Sequence, residues 1–295
     1  MKNIITNLLL ISGILLILSS CESMLSDVDV PESDPKLVVT GFLSPDDDTI
    51  SIIVKKSRPL YVPTQAWENS FPPINNATVT ISDGLNSLVL PFNTQTGKYQ
   101  VPNASMPVIA GNSYSLEVTT PEGYRVTSIC TIPEGIAPDI EITGIDTINQ
   151  YGSNSIKVSL RFRDLPGAGH FYCITAGTFY GNEGYGFYFS ETGFDRGEPF
   201  VSDKNKDEEL FSYRTWEIYN DNSMERILYV SLMITDENYY HYHRSVNSTS
   251  DGDNPFAEPT PVFTNIQGGL GIFSGINGKM TVFNLDDLKQ HTELL

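Results

Sequence analysis

Asp203, Asn205 and Asp207 alternate with Lys204 and Lys206, and the segment runs on into Glu208 and Glu209. Oxygen-bearing side chains at the first, third and fifth positions of a loop begin a calcium-binding pattern. An EF-hand loop also needs Gly at its sixth position and Glu at its twelfth. Those positions hold Glu208 and Arg214, so the EF-hand reading fails. An irregular Ca²⁺ candidate on Asp203, Asn205 and Asp207 remains, against the plainer reading of a solvated acidic loop. His241 and His243 flank Tyr242. On a helix, positions two apart point about 200° away from each other and cannot share one ion. His170 and His291 are isolated in sequence. The chain has no Gly-x-Ser-x-Gly, His-Glu-x-x-His or phosphate-cradling glycine loop. The expectation is a protein that is not an enzyme, with no catalytic residue and no cofactor beyond a covalent lipid.

Cys21 carries that lipid expectation. Lys2 precedes an apolar run from Ile4 to Leu18, which ends in Leu18-Ser19-Ser20-Cys21. A short charged start, an apolar stretch and small residues before a cleavage point make a secretory signal. The stretch falls short of the roughly 20 apolar residues that span a bilayer. Leu, two small residues and Cys resemble the bacterial lipobox, in which the thiol receives diacylglycerol and the new amine is acylated as well. Two or three palmitate-type chains, at about 0.8 kcal/mol per buried methylene, anchor a protein stably. Glu22 is not the Asp that favours inner-membrane retention, so the outer membrane is expected. The acidic Ser26-Asp27-Val28-Asp29 resembles the export tag of surface-exposed lipoproteins and favours the outward face over the periplasmic one.

Two aromatic stretches are candidates for ligand or partner binding. One runs from Tyr180 to Phe189 with Gly181, Gly184 and Gly186 interleaved, and offers Tyr185 and Tyr188. The other runs from Asn254 to Phe273, with Pro255, Pro259 and Pro261, and offers Phe256 and Phe263. Aromatic side chains in such segments form interface anchors. A barrel strand with a glycine turn, or a closing strand, would use the same residues.

The elements that must position these groups are mostly strands. The 295-residue chain carries a formal charge of −18, which excludes nucleic-acid binding through a basic face. Leu37-Val38-Val39, Ile50 to Val54, Ala77 to Ile81, Leu88 to Leu90, Lys98 to Val101, Tyr114 to Val118 and Tyr124 to Ile132 are short apolar or alternating runs between turn residues. That spacing predicts a β-sandwich. Pro133-Glu134-Gly135-Ile136-Ala137-Pro138 breaks any regular element. Beyond it, Ile156, Val158, Leu160 and Phe162 alternate with Lys157, Ser159, Arg161 and Arg163. More strand-like runs follow, and a helix is predicted over 236–246 with Thr235 as its N-cap. The predicted organisation is a signal peptide at 1–20, a lipidated tether at 21–34, a β-sandwich domain at 35–133 and a β-rich barrel- or sandwich-like domain with one helix at 134–295. The fold class is therefore mainly all-β. Cys130 and Cys173 sit in strand-like contexts in separate domains, which favours two buried thiols over a disulfide.

The stretch Asn254 to Phe273 resembles the C-terminal hallmark of the Domain of Unknown Function 4249 family. The lipobox, the acidic tether, Leu37-Val38-Val39 with Gly41, Leu160-Arg161-Phe162-Arg163-Asp164 before a glycine-rich turn, and the Tyr- and His-rich helix agree in order. The resemblance spans roughly residues 35–285. The strand order of the first domain resembles immunoglobulin-like and transthyretin-like modules, and the family resemblance implies an outer-membrane lipoprotein of a kind whose genes commonly lie beside those of TonB-dependent transporters. The implied role is accessory or ligand-capture partner of that transporter. The alternative is a structural or adhesive surface lipoprotein. The resemblance brings no catalytic residues.

Overall fold

The computed structural model describes residues 34–57, 73–150, 153–182, 186–204, 208–219, 225–249 and 261–285. The signal segment, Cys21, the tether up to residue 33, Tyr185, Asn205, Asp207 and Phe256 lie outside the described residues.

The first domain is built from β1 (Leu37–Leu43), β2 (Thr49–Lys56), β3 (Thr78–Ser82), β4 (Ser87–Leu90), β5 (Phe92–Asn93), β6 (Lys98–Pro102), β7 (Ser113–Thr119) and β8 (Arg125–Thr131). Strands β1, β2, β6 and β5 lie side by side in one sheet, and β4, β3, β7 and β8 in the other. Alternation along each strand decides what is buried. Leu37, Val39, Ile52, Val54, Val79, Ile81, Leu116 and Val118 fill the space between the sheets. Gly41 stands where a Cβ would lie 2.2 Å from Ile52 Cδ1, so the sheet is kept bare there to admit the isoleucine.

The second domain contains β9 (Glu141–Gln150), β10 (Ser153–Arg163), β11 (Phe171–Asn182), β12 (Gly186–Thr192), β13 (Phe194–Arg196), β14 (Phe200–Ser202), β15 (Leu210–Thr215), β16 (Ile218–Tyr219), β17 (Glu225–Thr235), the helix α1 (Glu237–Thr249) and β18 (Leu270–Asn284). One sheet is β13-β15-β10-β16, with β9 on the other edge of β10. The facing sheet is β12-β11-β17-β18, with β14 also on β11. Ile156, Val158, Leu160 and Phe162 of β10 pack on Tyr172 and Ile174 of β11 and on Leu228, Val230, Leu232 and Ile234 of β17. Both sheets feed one core, so the second domain is a sandwich. The architecture is all-β with one helix, as the residue pattern predicted.

Strand β18 joins the domains. Its first half pairs in parallel with β1, from Val38↔Leu270 to Leu43↔Gly275. Its second half pairs antiparallel with β17, from Thr235↔Ile276 to Ile227↔Asn284. A single nine-stranded sheet therefore runs through both sandwiches, and Ile266 and Phe273, from beyond residue 134, lie in the first core. The close passage needs bare backbone. Gly271 has φ +104°, and a Cβ there would stand 2.0 Å from the Val39 carbonyl oxygen.

Helix α1 begins one residue later than expected, and its cap differs from the sequence-based one. Asp236 is the N-cap: its Oδ1 accepts from the Tyr239 N–H at 2.8 Å. The Thr235 hydroxyl is buried, with no partner among the described residues. Asp wins because its longer acceptor also reaches Ser274 (2.6 Å) and Gly275 (3.0 Å) on β18. Tyr239 and His243, one turn apart, face Phe42 of β1 and Phe200 of β14, with ring centroids 4.2–6.4 Å apart. Cys130 and Cys173 are both free and buried. Burial pushes the Cys173 thiol up to about 12 and raises that of Cys130 as well, as befits unreactive core cysteines.

Candidate functional site

The outer face of the β12-β11-β17-β18 sheet carries a cleft of about 760 Å³. Its floor comes from the residues of β11 and β17 that point away from the core: Thr175, Gly177, Phe179, Tyr229 and Ser231. Met280 of β18 and Phe189 of β12 form two walls, and the segment from Thr192 to Pro199 forms another. Gly177 makes room for Phe189, because a Cβ on Gly177 would fall 2.6 Å from Phe189 Cζ. Phe189 and Met280 are 61% and 64% exposed, so large apolar side chains border the opening without covering it. Glu191 is the one carboxylate among the described residues that line the cleft. Such a surface can hold an apolar group or an extended segment of a partner away from water.

The sequence candidates fall around this cleft unevenly. Tyr188 is exposed and pairs with Tyr180, their rings 6.0 Å apart. Neighbouring strand residues face opposite sides of a sheet, so Phe189 and Phe179 line the cleft while Tyr188 lies behind it. Phe263 sits on α1 instead, with its N–H donated to Ser245 Oγ at 2.8 Å and its ring 5.6 Å from His241. The structure does not bring Tyr188 and Phe263 together. The alternation of β11 and β12 was the signal available for Phe189. Finding the cleft also required the pairing of β17 with β18, which no local pattern encodes.

A second constellation is polar. Asp164 directly follows β10, His170 directly precedes β11, Tyr172 is the second residue of β11, and Asp203 directly follows β14. Asp203 is fully buried. Its Oδ1 accepts from the Gly169 and His170 backbone N–H groups at 2.8 and 2.7 Å, and its Oδ2 lies 3.0 Å from His170 Nδ1. Gly169, with φ +100°, makes the turn that aims both amides at that carboxylate. Tyr172 donates to Asp164 Oδ1 at 2.7 Å and accepts from the Leu165 N–H at 3.0 Å. Asp164 Oδ1 is 3.8 Å from His170 Nδ1, and Asp164 Oδ2 has no hydrogen-bond partner among the described residues. Burial raises the Asp164 carboxyl above its ordinary range; the Tyr172 bond opposes this and the neighbouring Asp203 charge adds to it. Burial, then the bond to Asp164, raise the Tyr172 hydroxyl far above its ordinary value, so it acts as a fixed donor. Asp203 thus turns inward to His170, which sequence spacing had left isolated. Asn205 and Asp207, its expected Ca²⁺ partners, lie outside the described residues.

His241 and His243 diverge on α1, as their spacing requires. His241 lies 3.3 Å from Glu237 Oε1, and His243 stacks on Phe200. Among the described residues no helix is long and apolar enough to cross a membrane.

Residues 26–281 match the family described as Domain of unknown function (DUF4249). The chain belongs to this family. The match covers both sandwiches, the cleft and the polar constellation. No curated protein matches the chain.

Proposed function

We propose that the chain is an outer-membrane lipoprotein, held by acylated Cys21, that serves as accessory or ligand-capture partner of a TonB-dependent transporter. The observation that carries this reading is the open apolar cleft bordered by Phe179, Phe189, Tyr229 and Met280. An acidic protein of formal charge −18 gains nothing in solubility from large exposed apolar side chains gathered at one concavity. A bound apolar ligand, or an apolar segment of a partner, accounts for them. The lipid anchor rests on Leu18-Ser19-Ser20-Cys21, and the transporter rests on the expectation attached to the family.

The test is affinity purification of the tagged full chain from outer membranes in mild detergent. A stoichiometric TonB-dependent transporter is expected with the wild type and is expected to be lost from Met280→Glu, which adds charge to the cleft without touching either core. Labelling with palmitate is expected for the wild type and absent for Cys21→Ser. Recovery of the lipoprotein alone, from extracts in which other membrane complexes survive, would instead favour an independent structural or adhesive surface protein.

A further inference from the structure

We propose that Asp164, His170 and Asp203 bind a single divalent first-row transition ion, with Zn²⁺ as the natural probe. The site is distinct from the cleft and does not depend on the transporter reading.

Charge and hydrogen bonding argue for it first. The side chains of Asp164 and Asp203 are both fully screened from solvent, and among the described residues each has an ion-pair contact with His170 alone. Two carboxylates with a single, partly exposed imidazole leave buried negative charge without compensation. The hydrogen bonds are unevenly shared. Asp203 is saturated by two backbone amides and His170. Asp164 receives Tyr172 on Oδ1, and its buried Oδ2 receives no hydrogen bond among the described residues. A buried, unpartnered carboxylate oxygen beside a second carboxylate is an acceptor waiting for a positive group.

The spacing fits an ion. Donors bound at about 2.0–2.2 Å stand about 2.8–3.1 Å apart when adjacent in octahedral sites and about 3.3–3.6 Å apart in tetrahedral ones. His170 Nδ1 is 3.0 Å from Asp203 Oδ2 and 3.8 Å from Asp164 Oδ1, and donor atoms of all three residues lie within 4.8 Å of one another. Small rotations of His170 and Asp164 close that difference. The donor set selects the metal class. Ca²⁺ seeks six to eight oxygens, whereas one imidazole with two carboxylates suits Zn²⁺, Mn²⁺ or Fe²⁺.

Access and proton balance are also met. The His170 side chain is 26% exposed, so an ion can enter past its ring. Binding at Nδ1 requires the neutral tautomer protonated on Nε2, which a proton shift within the imidazole supplies. Tyr172 on Asp164 and the Gly169 and His170 amides on Asp203 are the outer bonds that hold the two carboxylates in place.

The experiment uses the full chain in detergent, without a histidine tag, stripped with chelator and titrated with ZnCl₂ by calorimetry and thermal unfolding. One Zn²⁺ per chain, with a raised Tm, is expected, and CaCl₂ at the same concentration is expected not to compete. His170→Gln and Asp164→Asn are each expected to weaken Zn²⁺ binding at least tenfold while keeping the wild-type circular dichroism spectrum. Should Asp164→Asn fail to fold, His170→Gln, the more exposed position, keeps the test open. In ¹⁵N spectra the His170 Nδ1 resonance is expected to shift on addition of Zn²⁺. No saturable binding, or Zn²⁺ binding with unchanged affinity in His170→Gln, would overturn the proposal.

Discussion

The side chain of Asn265 brackets Phe273 as a neighbouring strand would: its Oδ1 accepts from the Phe273 N–H at 3.0 Å, and its Nδ2 donates to the Phe273 carbonyl at 2.6 Å. Two residues on, Asp236 does the same for Gly275, through its carboxylate to the N–H and its own N–H to the carbonyl, both at 3.0 Å. The first half of β18 has β1 on one side and, among the described residues, no strand on the other. Asn265 and Asp236 fill that edge where Phe273 and Ser274 are fully buried. This gives the hallmark segment a structural task.

Replacing Asn265 with Ala therefore strips both polar groups of Phe273 of partners in a place water does not reach. Each such loss costs about 1–3 kcal/mol, so a drop of about 2–5 kcal/mol in unfolding free energy is expected. Urea denaturation of Asn265→Ala against wild type measures it. A change below about 0.5 kcal/mol would show that this edge is satisfied some other way.

The cleft predicts a binding signal that is independent of stability. An apolar fluorophore such as anilinonaphthalene sulfonate is expected to bind the folded chain near one equivalent, and Met280→Glu or Phe189→Ala to weaken that binding severalfold. Both side chains are more than half exposed, so unfolding midpoints should stay within about 0.5 kcal/mol of wild type. Dye binding that survives both substitutions would place the apolar site elsewhere.

Local pattern carried the strands well and the meeting points poorly. Ile156, Val158, Leu160 and Phe162 are buried and their charged alternates are not, because a period of two is a property of one strand. The two cysteines proved to be separate buried thiols for the same reason. The double pairing of β18 was invisible: a parallel partner 232 positions away, Val38 for Leu270, leaves no trace in nearby residues. His170 likewise looked solitary, since Asp203 reaches it across 33 positions through the pairing of β14 with β11. The Leu160–Asp164 run ahead of a glycine-rich turn was the one local sign that the chain folds back there.

His243 predicts a pH dependence. Burial among Phe42, Tyr239 and Phe200 lowers its basicity below the ordinary 6.5, and its Nε2 is buried with no partner among the described residues. The unfolded chain binds the proton more readily, so this group's share of stability is retained above 6.5 and lost as pH falls from 6.5 through the depressed folded value. Phe fits the same stack and cannot be protonated. His243→Phe is expected to match wild type within about 1.5 kcal/mol at pH 7.5 and to gain on it steadily toward pH 5. Urea midpoints at both pH values decide this, and a constant difference would mean that His243 does not titrate against folding.

Asp195 predicts a loss in the same direction at lower pH. On β13 it accepts from Lys157 of β10 at 2.6 Å and, bidentately, from Arg214 of β15 at 2.8 and 2.9 Å, so one carboxylate ties three strands of a sheet. The Arg214 bonds first, and Lys157 second, lower its pKa from 3.8 to about 2. A depressed acid contributes stability above its unfolded value and loses it as pH falls through the folded one. Asp195→Asn should therefore be less stable than wild type at pH 7, and the difference should shrink between pH 4 and pH 2. Removing the carboxylate also leaves Lys157 and Arg214 facing each other, so added salt should narrow the difference at neutral pH by screening that repulsion. A difference that ignores both pH and salt would assign Asp195 a packing role, with its charge carrying none of the effect.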